Sequence, residues 1–456
     1  MLGSKTEQKE KSWQFPDAMV IMLAFILFVG LLTYVVPQGS YERVPHPTQD
    51  FETVVPGSFH VIDARPLSVF QILLAIPKGI VAAGELVVLI LLLGACFYVI
   101  EKTGALKEGI VYLTNIFDGK EAIALLIVSA AFAAGGALNG MQEEIIALTP
   151  VLLYFTSRLG HDAFVAVSIS YGSAVIGASF SPMNPFGVAV AQDAAELPLL
   201  SGSTFRLVVM ILAFLIWTFT IIRYGNMNRV SKLISEEEET SSISRRSMAI
   251  LGLTALAFII MVYGLLQLGW GFNEMSAEFF VLGIVAGLIG KLGINGTTKA
   301  YMEGFKEMIF AAMIMGLARS ITVILEEGQI IDTIIYALFQ PVQYLPTGLA
   351  AITMMISQAI LHFPVPSYSG QALMTMPVLA PLSDLIGLSR QVCVLTYQYG
   401  GILMDTLVPT NGALMAIISI AGISYNRWLK FVVKPTLIIM LLGATAVLFA
   451  ILIGYE

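Results

Sequence analysis

Charge is scarce in this sequence. Asp, Glu, Lys and Arg make up 12% of its 456 residues, about half of the roughly 25% found in soluble domains. Hydrophobic residues fill 57% instead, and mean hydropathy is +0.84. A soluble globular domain is thereby excluded, and the many long apolar runs indicate an all-α polytopic membrane protein. The alternating ten-residue segments of a transmembrane β-barrel are missing. Cysteine is nearly absent too. Cys96 and Cys393 both lie in apolar segments and read as packing residues rather than as a disulfide or metal site. No H-E-x-x-H, no G-x-S-x-G and no facing aspartate pair is found, so an intramembrane enzyme lacks its catalytic set. A carbonyl-filter sequence of the potassium-channel kind is also missing. A net charge of −7 says little once the chain is embedded. The expected partners are a small-molecule substrate and the lipid bilayer, with no nucleic acid and no cofactor.

What is present is a pair of interrupted apolar stretches. Residues 135–188 contain two breaks, a polar tip from Ala137 to Glu144 and a second from Ser179 to Phe186 with Pro182 and Pro185. Backbone that leaves the helix at membrane depth must be buried in protein or line a polar cavity, because lipid cannot satisfy its N–H and C=O groups. Residues 362–415 repeat the pattern without a gap at an offset of 227: Pro150 falls on Pro377, Val151 on Val378, Gly160 on Gly387, Pro182 on Pro409 and Asn184 on Asn411. Interrupted segments at corresponding positions of two halves point to the binding site of a secondary transporter.

Charge placement sets an expected topology. Residues 1–16, with Lys5, Lys9 and Lys11, form a cytoplasmic leader, and Ala18 to Val36 a retained first helix. The first repeat occupies 17–223, with an interfacial arm at 67–84, a hairpin at 121–159 and a broken helix at 163–195. Lys102, Lys107, Lys120 and Arg158 bracket that hairpin, which makes it re-entrant from the cytoplasm. A linker at 224–246 carries the acidic run Glu236 to Glu239 and reads as a solvated connector or a regulatory segment. The region 247–456 holds an extra helix and the second repeat, with an arm at 298–308, a hairpin at 347–385 and a broken helix at 388–421. The extra crossing inverts the two repeats relative to each other.

The runs VIEKTGAL (99–106), YVVPQGSYERV (34–44) and VVPGSFHV (54–61), together with the GMQEE tip (140–144), resemble the YfcC family over essentially the whole chain. That family belongs with the DcuC-type C4-dicarboxylate carriers in the ion-transporter superfamily, and some streptococcal members are similar arginine/ornithine antiporters. The resemblance implies an elevator transporter, usually dimeric, with a scaffold domain and a transport domain of two hairpins and two broken helices. Superfamily tips read Ser-Asn-Thr. Here the corresponding places hold Gly140-Met141-Gln142 and Ser367-Tyr368-Ser369, a departure that puts sodium coupling and a dicarboxylate substrate in doubt.

The candidate substrate- or ion-binding residues are Asn139, Gly140, Gln142, Glu143 and Glu144 at the first tip, Ser181 and Asn184 at the first break, Ser367, Tyr368, Ser369 and Gln371 at the second tip, and Asp405, Thr406 and Asn411 at the second break. Glu143 and Glu144 either complement the positive N-terminus of their helix or serve the site, as intramembrane charges usually do. Asp405 either pairs with a neighbouring hydroxyl or binds substrate. Arg319 reads as a snorkelling or domain-bridging cation or as a site residue, His362 as a packed histidine or a proton sensor, and Tyr171, Ser173 and Tyr399 as polar core. A coupling Na+ near Asn139, Asn184, Ser369 and Asn411, or coupling to H+, remains open. With two glutamates at one tip and no Lys or Arg in either tip or break, a basic amino acid, carried by exchange, suits the constellation better than a dicarboxylate.

Overall fold

The computed structural model describes residues 18–45, 52–232 and 243–456. The leader and the acidic run Glu236 to Glu239 lie outside the described residues. The first half comprises α1 (Ala18–Leu32), α2 (Val69–Ala82), α3 (Gly84–Lys102), α4 (Ala105–Ile116), α5 (Glu121–Asn139) and α6 (Glu143–Arg158). Then α7 (Ala163–Val167) runs through a π-helical turn into α8 (Ser173–Ser179), and after a break Pro185–Ala189 leads into α9 (Val190–Ala194) and α10 (Ser203–Met227). The second half comprises α11 (Arg245–Gln267), α12 (Phe272–Ile289), α13 (Gly293–Glu327), α14 (Ile331–Phe339), α15 (Thr347–His362), α16 (Tyr368–Leu385), α17 (Arg390–Gly400), a 3₁₀ turn Ile402–Thr406, α18 (Gly412–Ile420) and α19 (Tyr425–Leu452). Seven of the described helices, α3, α5, α10, α11, α12, α13 and α19, are long and apolar enough to cross a membrane. The helix starts at Glu121, Glu143, Ala163 and Pro185 recur at Thr347, Tyr368, Arg390 and Gly412, each 225–227 residues later.

Two details differ from an all-helical reading with arms at 67–84 and 298–308. The loop after α1 folds into two short antiparallel ladders, β1 (Gly39–Ser40) with β4 (His60–Val61) and β2 (Arg43–Pro45) with β3 (Glu52–Val54). Asp332 anchors this loop, accepting from Tyr41 N at 3.0 Å and pairing with Arg43 at 2.8 Å. Residues 298–308 are no separate element but lie inside the 35-residue α13. Along that helix pack α2, whose Ile76 carbonyl accepts from Ser320 Oγ, and α3, whose Tyr98 donates to Glu303. The short helices that lead into the two hairpins are instead α4 and α14, and α14 buries Ile331, Ile335 and Phe339 on a single stripe.

Local chemistry explains the breaks. Pro182 and Pro409 cannot donate to a helix, and an asparagine two residues later caps the segment that follows. Asn184 Oδ1 accepts from Phe186 N and Gly187 N at 2.9 and 3.0 Å, and Asn411 Oδ1 accepts from Leu414 N at 2.8 Å. Close backbone packing holds α5 against α8: a Cβ on Gly136 would lie 1.9 Å from the Ala174 carbonyl oxygen, so only glycine fits there.

Separate sets of contacts close the two helical pairs. Arg229 donates to Leu159 O at 2.9 Å, and Lys232 pairs with Asp118 and Glu121 at 3.1 and 3.0 Å, which ties together both ends of the α5–α6 pair. The first broken helix starts where Tyr224 donates to Asp162 and is followed by Glu196. There Arg390 pairs with Glu196 at 2.6 Å and Asp384 at 2.8 Å, and Thr347 donates to Ile386 O, which closes the α15–α16 pair. Each broken helix is also pinned by a buried tryptophan: Trp217 of α10 donates to Ser168 O and Trp428 of α19 to Thr406 O.

Candidate functional site

The two hairpin tips meet inside the molecule. Gly140 closes the first tip in the left-handed conformation, φ 69°, which a side chain would strain. Gln142 follows and donates to Tyr368 Oη at the start of α16 and to Asp405 Oδ2 at 2.6 Å. Asn411 Nδ2 donates to Gln142 Oε1 at 3.1 Å and to Asp405 Oδ1 at 2.7 Å. His362, at the end of α15, contacts Asp405 Oδ1 through Nε2 at 2.7 Å and Gln371 Oε1 through Nδ1 at 2.6 Å. Both ring nitrogens of His362 thus face side-chain oxygens. Tyr171 of the first broken helix donates to the Asp405 backbone carbonyl at 3.0 Å. Asp405 is therefore the node at which both hairpins and both broken helices join.

Beside this node lies a cavity of about 630 Å³. Asn139, Gly140, Gln142, Glu143, Glu144, Ser367, Tyr368, Ser369, Asp405 and Asn411 line it, as the sequence reading expects of site residues. Four further candidates do not. Ser181 Oγ donates to Ala137 O at 2.6 Å and Asn184 Nδ2 to Gly136 O at 2.9 Å, a carbonyl that also accepts from Gly140 N, so both side chains tie the break to the end of α5. Gln371 is fully buried between His362 and Gln358. Thr406 donates to Leu403 O and shares a hydrogen bond with Thr436. These four position the site from behind.

The rest of the lining comes largely from helices outside the hairpins. Met315, Ala318, Arg319 and Thr322 of α13 face the cavity at helical spacing, with Glu85 and Leu86 of α3 and Trp270 to Phe272 before and at the start of α12. No Lys or Arg lies in either tip or break, but Arg319 of α13 is exposed, lines the cavity and has no hydrogen-bond or ion-pair partner among the described residues. Its signal in the sequence was its charge in an apolar helix, but nothing local told which way it faced. Two tip groups are buried without partners: both amide atoms of Asn139, which is 6% exposed, and Oε2 of Glu144, which is 5% exposed.

The model of the family described as "DcuC: C4-dicarboxylate anaerobic carrier" matches residues 15–452. The chain belongs to the DcuC family. It is 30% identical over 508 aligned positions to the Escherichia coli (strain K12) protein described as "Putative basic amino acid antiporter YfcC", covering all of both chains. It is 28% identical over 494 positions to an uncharacterized Haemophilus influenzae protein, covering 96% of this chain and 97% of that one. Among solved structures it is similar to the YdaH transporter of Alcanivorax borkumensis, with a TM-score of 0.47 and 16% identity, covering 96% of this chain and 99% of that one. MtrF of Neisseria gonorrhoeae gives a TM-score of 0.40 at 16% identity, with 96% and 95% covered.

This DcuC-family protein is a multi-pass membrane transporter and not an enzyme. Its cavity presents four carboxylates, Glu85, Glu143, Glu144 and Asp405, against a single basic side chain, Arg319. Glu85 accepts from Asn273 at 3.0 Å, and Asp405 is held by the node. Glu143 and Glu144 form no ion pair with any described residue, and both stand at the start of α6.

Proposed function

We propose that this DcuC-family protein exchanges basic amino acids across the inner membrane by an elevator motion. The observation that carries the reading is the pair of uncompensated carboxylates, Glu143 and Glu144, in a cavity with a fourfold excess of acidic over basic side chains. A buried carboxylate without a partner is costly, and an ammonium or guanidinium from the substrate supplies that partner as a charge-assisted pair. The elevator reading rests on three features: two helical pairs each followed by a broken helix, helix starts that recur in the two halves, and a cavity lined both by the tips and by residues of α3, α12 and α13. The test is counterflow in proteoliposomes. Arginine and ornithine drive it, and succinate and fumarate do not.

A second reading follows from Arg319, whose guanidinium suits an organic dianion of the kind that the family description names. In that reading a coupling Na+ or H+ offsets the glutamates, and the unpartnered amide of Asn139 supplies an oxygen to the ion. Counterflow driven only by dicarboxylates would select it and end the first.

Orientation belongs to the same proposal. In this reading Lys120, Arg158, Arg229, Lys232, Arg245 and Arg427 belong to one end of the molecule and Arg43, Lys78 and Arg390 to the other. The basic end is then cytoplasmic. With the native Cys96 and Cys393 buried, His60→Cys labels in intact cells and Asn228→Cys only after permeabilisation. Labelling of both from the same side contradicts the topology.

A further inference from the structure

We infer that Arg319 is the group that binds the substrate's α-carboxylate, and that it makes the site selective for amino acids over the corresponding amines. The inference rests on the basic amino-acid reading and goes beyond it. Four observations carry it. Arg319 lines the cavity, its side chain is exposed there, and no described residue pairs with it. It is the one basic side chain among the lining residues. Its helix, α13, lines the same cavity as Glu143 and Glu144, so one ligand bound there has carboxylates from the first tip and the Arg319 guanidinium within a single site. Met315, Ala318 and Thr322 flank it on the same face of α13, which leaves the guanidinium as the strongest anion-binding group on that face.

The chemistry is that of a zwitterion with a charged tail. A carboxylate engages the planar fork of an arginine through two parallel N–H···O bonds, while the side-chain cation at the far end of the ligand meets the glutamates. A ligand that lacks the carboxylate leaves Arg319 exposed to repulsion from its cationic ends. The two contacts lie on different groups of helices, the hairpin tips and α13. Arg319 therefore contributes in the orientation in which α13 and the tips line one cavity, and sliding of the tips along α13 releases the carboxylate.

The test compares arginine with agmatine, which is arginine without its carboxylate, as competitors of arginine counterflow in proteoliposomes. In the wild type, arginine competes at least tenfold better than agmatine. Arg319→Gln raises the arginine concentration for half-inhibition tenfold or more and leaves agmatine unchanged or improved, so the ratio collapses towards one. Arg319→Lys keeps the charge without the fork and falls between. A wild type that accepts agmatine as well as arginine overturns the inference without any variant, which covers the case in which Arg319→Gln does not fold. A preserved ratio in Arg319→Gln also overturns it while leaving basic amino-acid exchange intact. Absence of competition by either ligand overturns the functional reading itself, and this inference with it.

Discussion

Glu143→Gln and Glu144→Gln each abolish arginine exchange while the protein stays folded. The loss is large because truncating one partner of a desolvated charge pair removes about 2–5 kcal/mol, roughly thirtyfold or more in affinity. The two variants differ in stability. Glu144 is 5% exposed and its Oε2 has no partner, so the substrate-free protein carries an uncompensated group that a neutral amide relieves. Glu144→Gln therefore melts at or above the wild-type temperature in detergent and loses the stabilisation that arginine confers on the wild type. Glu143 is only half-buried, and its variant melts like the wild type. A loss of binding with a gain in stability marks a group kept for function. Wild-type exchange in both variants would remove the basis of the basic amino-acid assignment.

The second large effect is expected at Asp405. Its carboxylate accepts from Gln142, Asn411 and His362 in a fully buried setting, so Asp405→Ala strands three donors at once. Each buried donor left without a partner costs about 1–3 kcal/mol, and the first tip loses its direct tie to the second break. The alanine variant shows a marked fall in melting temperature and no exchange. Asp405→Asn keeps the shape and one acceptor oxygen and lies between alanine and the wild type. His362→Gln, which removes one of the three side-chain contacts to Asp405 and disturbs that to Gln371, shows a smaller loss of stability than Asp405→Ala. Should Asp405→Ala melt and exchange like the wild type, the node has no mechanical role, and the tips are held together by packing alone.

Much of this was legible in the chain because the signals are local. Pro182-Met183-Asn184 and Pro409-Thr410-Asn411 break and recap a helix through backbone chemistry that needs no tertiary partner, and the structure finds both caps in place. Glycine and polar residues between apolar runs at 139–144 mark a tip for the same reason. The arms were less legible. The first arm, 67–84, holds α2 (Val69–Ala82), which runs through Pro77, whereas the second, 298–308, is part of the 35-residue α13, and no local signal separates it.

By itself the sequence determined that this is a helical membrane protein with two interrupted segments, and which residues stand at the interruptions, since hydropathy, proline and capping act within a few residues. Only the tertiary structure decided the division of labour among those residues. Ser181, Asn184, Gln371 and Thr406 share the composition of a binding site, but their hydrogen bonds run to helix ends and to neighbouring side chains. His362 gained its partner across the fold from Asp405. Arg319 entered the cavity because that face of α13 lines it together with tips that lie far away in the chain. The direction of a side chain on a long apolar helix is set by what packs against it, and that partner is not written next to it.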